Sequence, residues 1–130
     1  LDVLVNNAGG SRPVNWNASD EEWAEGMNLN FSSARRMTNK VVPGMRDQKW
    51  GRIINITGNN EPPGVNIASA AKAALHNLYQ AAKEKFENTY INIDIFHPPR
   101  FKSKLIRSLQ KKGNFTKTDI IAKTLFKKIK

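Results

Sequence analysis

Short apolar runs alternate with long amphipathic segments along this chain, and no other sequence feature constrains its fold as strongly. The apolar runs cover residues 1–5, 52–57 and 90–96, and each is followed by asparagine, glycine or proline within a few residues. Runs of this length that stop at such residues are typical of buried strands. Their alternation with helices predicts an α/β fold: a partial doubly wound (Rossmann-type) parallel sheet in the order strand-helix-strand-helix-strand.

The two segments between the strands repeat their apolar residues at three- and four-residue steps, which is the spacing of one helix face. Ser19 and Glu22 are spaced as a capping box at the start of the first helix, and Pro43 is expected to bend or end its last turn. The predicted packed faces are Trp23, Met27, Phe31, Ala34, Thr38, Val41 and Met45 in the first helix, and Ala68, Ala71, Leu75, Leu78, Ala82 and Phe86 in the second.

The positive charge of the chain is concentrated at its end. Of the 21 lysines and arginines, 11 lie between Arg100 and Lys130, where Asp119 is the only acid, so this segment carries the whole net charge of +10. Such a segment could attract nucleic acid, an anionic membrane or a phosphorylated ligand. A solvated, lysine-rich helical tail at 106–130 is the favoured interpretation, and nucleic-acid binding is not expected.

Composition excludes several classes of site. The chain has no cysteine, so it can form neither a disulfide framework nor a cysteine-based metal site. No apolar run approaches the roughly 20 residues that span a bilayer, and the first residues lack the basic flank of a signal peptide. We therefore expect a cytoplasmic protein with no membrane partner.

Five short motifs follow one another along residues 1–105. They are Asn6-Asn7-Ala8-Gly9, Trp23 with Asn30, Val42-Pro43-Gly44-Met45 followed by Gly51-Arg52-Ile53-Ile54-Asn55-Ile56, Ala71-Lys72-Ala73-Ala74-Leu75, and Pro98-Pro99 with Phe101 and Ser103. In this order and spacing they resemble the C-terminal half of a short-chain dehydrogenase/reductase (SDR) domain. The family's phosphate-binding glycine loop has no counterpart here, so we expect the working protein to be longer.

The resemblance implies an NAD(P)-dependent oxidoreductase that transfers a hydride between a carbonyl and an alcohol. It implies Asn30 and Lys72 as catalytic residues. NAD and NADP cannot be distinguished, because the residue that selects between them also has no counterpart. The implied cofactor-binding residues are Asn6, Ala8, Gly9, Lys72, Pro98, Pro99, Phe101 and Ser103.

Two catalytic positions depart from the family pattern, and Asp94 and Pro99 also stand where the family has asparagine and glycine. The family's proton-transferring tyrosine, four residues before the lysine, falls on Ala68, and its serine falls on Gly58. The candidate substitutes are Thr57, Ser69 and Glu61, of which Glu61 would need burial to raise its pKa. An SDR-like pseudoenzyme or scaffold that keeps the fold without catalysis is therefore the alternative to an enzyme with an atypical site.

Two spatial predictions follow from the resemblance. The Lys72 amine and the Asn30 amide should meet in a crevice at the carboxyl edge of the sheet. Family members also pair through their two long helices, here Trp23–Met45 and Ser69–Phe86, so a homo-oligomer is expected.

Overall fold

The structure, a computed structural model, describes residues 1–10, 14–58, 64–99 and 116–129. Three strands form one parallel sheet in the order β1-β2-β3, which confirms the predicted α/β class and the alternation of strands and helices. The elements are β1 (Val3–Asn6), α1 (Asp20–Met27), a π-helical turn (Asn28–Ser32), α2 (Ser33–Asp47), β2 (Gly51–Ile56), α3 (Ile67–Phe86), β3 (Ile91–Phe96) and α4 (Thr118–Ile129).

One face of the sheet is packed against α2 and α3. Leu4, Ile53 and Ile93 lie in register on the three strands and belong to one buried cluster, which also includes Met45 and Leu75 from the helices. Since the strands are parallel, their carboxyl ends all lie at the same edge of the sheet. Side chains that follow β1 and β2 are thereby brought close together.

The first long helix begins as predicted. The Ser19 side chain accepts a hydrogen bond from the Glu22 amide, and the Glu22 carboxylate accepts one from the Ser19 amide. Pro43, expected to bend or end the last turn, does not end it, since α2 continues to Asp47. Pro43 and Asn39 both lie on the exposed side of α2, where water can bond the carbonyl that the proline leaves without a donor.

The packed face of α3 differs in one position from the prediction. Ile67, Ala71, Leu75 and Tyr79 are buried at four-residue steps, whereas Leu78, predicted to face the core, is 37% exposed. The prediction was wrong for Leu78, because Tyr79 takes the core position one residue further along the helix. A tyrosine can be buried when its hydroxyl finds a partner.

The basic tail contributes α4, which lies on the opposite face of the sheet. Arg52 and Asp94 alternate along their strands with core residues and so point away from α2 and α3. The Lys128 ammonium lies 3.7 Å from the Asp94 carboxylate, and the Arg52 guanidinium donates to the Lys128 carbonyl. Helix α4 therefore packs where these two strand residues emerge.

Within the described ranges, no helix has both the length and the apolar character needed to cross a membrane. The cytoplasmic location expected from the sequence stays a prediction.

Candidate active site

Asn30 and Lys72 converge on Gly9, three residues after the end of β1. A Cβ atom built on Gly9 would lie 2.7 Å from Asn30 Oδ1 and 3.3 Å from Lys72 Nζ. Only a glycine leaves room for both side chains at this point. The amine and the amide predicted to share a crevice at the carboxyl edge of the sheet are brought together there.

Asn30 clamps the turn that follows β1 to the first long helix. Its Oδ1 accepts a hydrogen bond from the Gly10 amide at 3.0 Å, while its Nδ2 donates to the carbonyls of Gly10 and Gly26 at 3.1 and 3.0 Å. The side chain is 2% exposed. Both amide hydrogens are thus used inside the protein, and only an acceptor position on Oδ1 remains for another group.

A π-helical turn places Asn30 in this position. Residues Asn28–Ser32 form the turn between α1 and α2, and Asn30 is its buried residue. A π turn widens the helix by one residue and is frequent at functional sites. No local pattern in the sequence marks this turn, so sequence reasoning missed it; the only trace is an asparagine on an otherwise apolar helix face.

Lys72 connects the ends of two strands to α3. Its ammonium donates to the Ile56 carbonyl at 3.0 Å and more weakly to the Ala8 carbonyl at 3.5 Å. Desolvation by burial lowers the pKa of Lys72 from its ordinary value. An ammonium has three hydrogens, so one of them is not accounted for by these two bonds.

Comparison with known proteins decides the family. A sequence model of the short chain dehydrogenase family matches residues 1–114. The chain belongs to this family.

Two reductases are among its SDR relatives. Acetoacetyl-CoA reductase of Cupriavidus necator is 29% identical over 114 residues, which are 85% of this chain and 46% of the relative. The acetoacetyl-CoA reductase of Rhizobium meliloti is 32% identical over 117 residues, 86% of this chain and 48% of the relative. The chain thus spans about half the length of these curated relatives.

The fold agrees with that of a solved SDR structure. A gluconate 5-dehydrogenase from Burkholderia cenocepacia, in complex with NADP and tartrate, superimposes with a TM-score of 0.85 at 22% identity. The match covers 99% of this chain and 56% of that protein. At this identity the likeness concerns the fold.

The two positions where SDR tyrosine and serine would stand both lie beside Lys72. Ala68 precedes Lys72 by one turn on α3 and lines, with Gly10 and Asn30, a cavity of about 210 Å³. A Cβ built on Gly58 would lie 3.6 Å from the Lys72 Cβ and Cγ atoms, an ordinary contact. Side chains at either position would reach the lysine, but alanine and glycine supply no proton-transferring group.

Asn6 does not join this group. Its Nδ2 donates to Asn55 Oδ1 at 2.8 Å and to Thr38 Oγ1 at 3.1 Å, and the Tyr79 hydroxyl lies 2.6 Å from the same threonine oxygen. These four buried residues form what we call the support cluster. Its Asn6 was implied as a cofactor-binding residue, but its side chain points to α2 and β2 rather than into the crevice.

The remaining predicted residues are placed as follows. Thr57 is buried, and its hydroxyl lies 3.5 Å from both the Phe96 carbonyl and His97 Nδ1, so it points to the end of β3 rather than to Lys72. Pro98 and Pro99 follow β3 at the carboxyl edge. Outside the described residues lie Glu61, Phe101 and Ser103.

Proposed function

We propose that the protein is an NAD(P)-dependent oxidoreductase that interconverts a carbonyl and an alcohol with an atypical proton relay. The observation that supports this proposal is the convergence of Lys72 and Asn30 on Gly9 at the carboxyl edge of β1 and β2. In open α/β sheets, ligands bind at this edge. The names of the curated relatives, which are reductases, point the same way.

The residues at this edge fit the nicotinamide half of the cofactor. When bound, NAD(P) supplies or accepts the hydride. Lys72 would lie beside the cofactor's ribose, and the hydrogen that its bonds to Ile56 and Ala8 leave over stays available for the substrate.

Lys72 is the proposed source of the proton in reduction. Neither Ala68 nor Gly58 carries a proton, so the substrate oxygen must take it from elsewhere. The Lys72 ammonium can give it directly or through one water molecule, because desolvation lowers its pKa and eases the loss of a proton. In this scheme Asn30 has a positioning role, since its amide hydrogens are used to hold Gly10 and Gly26.

The alternative is an SDR-like pseudoenzyme or scaffold that retains the fold without catalysis. Ala68 and Gly58 favour it, because both side chains of the standard relay are missing. The helices and the capping box at Ser19 would be kept both in an enzyme and in a scaffold, so they do not distinguish between the two functions.

Cofactor binding and a restored tyrosine test the proposal. In the full-length protein, NADH or NADPH should bind in calorimetry, and Ala68→Tyr should raise turnover of simple ketones at least about tenfold by restoring a general acid. Ala70→Tyr, on the exposed side of the same helix, is the matched control and should change nothing. If neither NADH nor NADPH bound, the oxidoreductase proposal would be contradicted and the scaffold would be favoured.

We also propose that the protein forms a homo-oligomer through α2 and α3. Met37 and Leu78 are 46% and 37% exposed on these helices, and a groove of about 340 Å³ between the helices is lined by Val42, Leu78 and Ala82. Apolar surface of this kind supports a helix–helix interface. Leu78→Glu should shift the sedimentation coefficient to that of a monomer, whereas an unchanged value would contradict this interface.

A further inference from the structure

The small side chain at Ala68 borders a cavity beside the candidate site. The cavity has a volume of about 210 Å³. It lies between the start of α3 on one side and α1 with the π-helical turn on the other. Its apolar lining includes Val14, Leu29, Ile67 and Ala68. An apolar cavity of about 150 Å³ is large enough for benzene, so this one can hold a single ring with a short substituent.

The polar side chains of the lining are all acceptors. Glu22 and Glu25 contribute carboxylates at its exposed rim, and carboxylates only accept hydrogen bonds when ionised. Asn30 also lines the cavity, and both of its amide hydrogens are donated to backbone carbonyls. Its Oδ1 accepts one hydrogen bond from Gly10 and has a second lone pair.

We infer that this cavity binds compact, single-ring alcohols, with the ring against Ala68 and Ile67 and the hydroxyl donating to Asn30 Oδ1. A donor matches this lining, whereas an acceptor or an anion would face carboxylates and an amide oxygen. The inference deepens the proposed function by naming a substrate class, and in that respect it rests on it.

Three ligands of one shape test the chemistry of the cavity. Benzyl alcohol carries the donor, benzyl methyl ether lacks it, and benzoate replaces it with a charge. Dissociation constants are measured by ligand-observed NMR on the full-length protein. The ether and benzoate should each bind at least about tenfold more weakly than the alcohol, because neither can donate a hydrogen to the buried Asn30 Oδ1 and benzoate would also face two carboxylates.

The opposite order would overturn the inference. Ile67 and Ala68 are the first residues of α3, and backbone N–H groups at a helix start attract anions. Benzoate binding as tightly as benzyl alcohol would mean that these amides, and not the acceptor side chains, determine the ligand. Equal binding of the ether and the alcohol would equally contradict a donor-specific cavity.

Filling the cavity locates the ligand. Ala68→Phe places a ring where the ligand's ring is expected and should weaken benzyl alcohol binding at least about tenfold. Ala68→Leu is a smaller substitution with the same expected direction, in case the larger one impairs folding. Ala70→Phe, on the exposed side of α3, should bind like wild type. Unchanged affinity in folded Ala68→Phe and Ala68→Leu would place the ligand elsewhere and overturn the inference.

Failure of this inference and failure of the proposed function give different results. Benzyl alcohol that binds in an Ala68-dependent way but is not oxidised with NAD or NADP supports the cavity and contradicts the enzyme. NAD(P)-dependent turnover of other alcohols without benzyl alcohol binding supports the enzyme and contradicts the cavity.

Discussion

Two polar clusters lie within three residues of each other at the end of β1, and they differ in how completely their hydrogen bonds are satisfied internally. The support cluster begins at Asn6, and all four of its residues are at most 8% exposed. The site cluster, which consists of Gly9, Gly10, Asn30 and Lys72, begins at Gly9. Its lysine is only partly buried and keeps a hydrogen that no residue in the described ranges bonds.

The difference separates stability from chemistry. In the support cluster, each side chain bonds to another member, so the cluster fixes α2 and α3 on the sheet. Asn55 Nδ2 is the exception, since it has no acceptor among the described residues. In the site cluster, both amide hydrogens of Asn30 are used, while Lys72 keeps one ammonium hydrogen. We therefore expect changes in the first cluster to lower stability alone, and changes in the second to lower activity as well.

Replacing Lys72 should have the largest effect. Lys72→Met removes the proposed proton source and should lower turnover by roughly 100-fold or more, with NAD(P) binding also weakened. The free energy of unfolding should also fall, by about 1–2 kcal/mol, because the Ile56 and Ala8 carbonyls lose their donor. Lys85→Met, at an exposed position of the same helix, serves as the control in a steady-state assay. Equal losses in both variants would remove Lys72 from the mechanism.

The two adjacent glycines should respond differently to alanine. In Gly9→Ala the new methyl would lie 2.7 Å from Asn30 Oδ1, so the clamp must shift. We expect a loss of roughly 1–3 kcal/mol in the free energy of unfolding, together with weaker activity. In Gly10→Ala the methyl would meet only Leu29 at 3.5 Å, an ordinary contact. Urea unfolding of the two variants should separate them, and similar stabilities would argue against the close approach at Gly9.

Removing the Tyr79 hydroxyl should affect stability alone. Tyr79→Phe deletes bonds to Thr38 Oγ1 at 2.6 Å and to the Ala34 carbonyl at 3.3 Å. The expected cost is about 1–2 kcal/mol, because a buried partner loses its hydrogen bond. Tyr90→Phe is the control, since Tyr90 is 64% exposed. If turnover fell as much as stability did, the two clusters would not be functionally separate.

The sequence predicted the elements that depend on local pattern. Strand positions followed from apolar runs, the start of α1 from Ser19 and Glu22, and the meeting of Asn30 with Lys72 from ordered motifs. The first two features agree with the structure because apolar periodicity and capping act over a few residues, whereas the meeting of Asn30 with Lys72 followed from the family resemblance.

The sequence did not predict features that depend on contacts between distant segments. In the π-helical turn at Asn28–Ser32, the Asn30 side chain forms hydrogen bonds with the backbone of Gly10, which lies 20 residues earlier in the chain. Likewise, Tyr79 can be buried because its hydroxyl donates a hydrogen bond to Thr38 Oγ1, 41 residues away in the chain. Neither partner is visible in a local window, so the π turn was missed and Leu78 was assigned to the core in place of Tyr79.

The smallest predicted effect concerns pH, and it has opposite signs in the two clusters. Burial lowers the pKa of Lys72 below 10.5, so just below that pH the unfolded state binds more protons, and the contribution of Lys72 to stability rises with pH. Burial raises the pKa of Tyr79 above 10.0. Its contribution is fully present below about pH 10 and is lost above it, because the unfolded chain then releases the phenolic proton first.

Urea unfolding between about pH 9 and pH 11 tests these signs. Wild type should gain stability relative to Lys72→Met as the pH rises toward 10.5, because only wild type carries the amine with the lowered pKa. Relative to Tyr79→Phe, wild type should lose stability above pH 10.0. Parallel curves for all three proteins would mean that neither group is held in the environment described for its cluster. Two slopes of the same sign would mean that burial does not disfavour the charged form of one of the two groups.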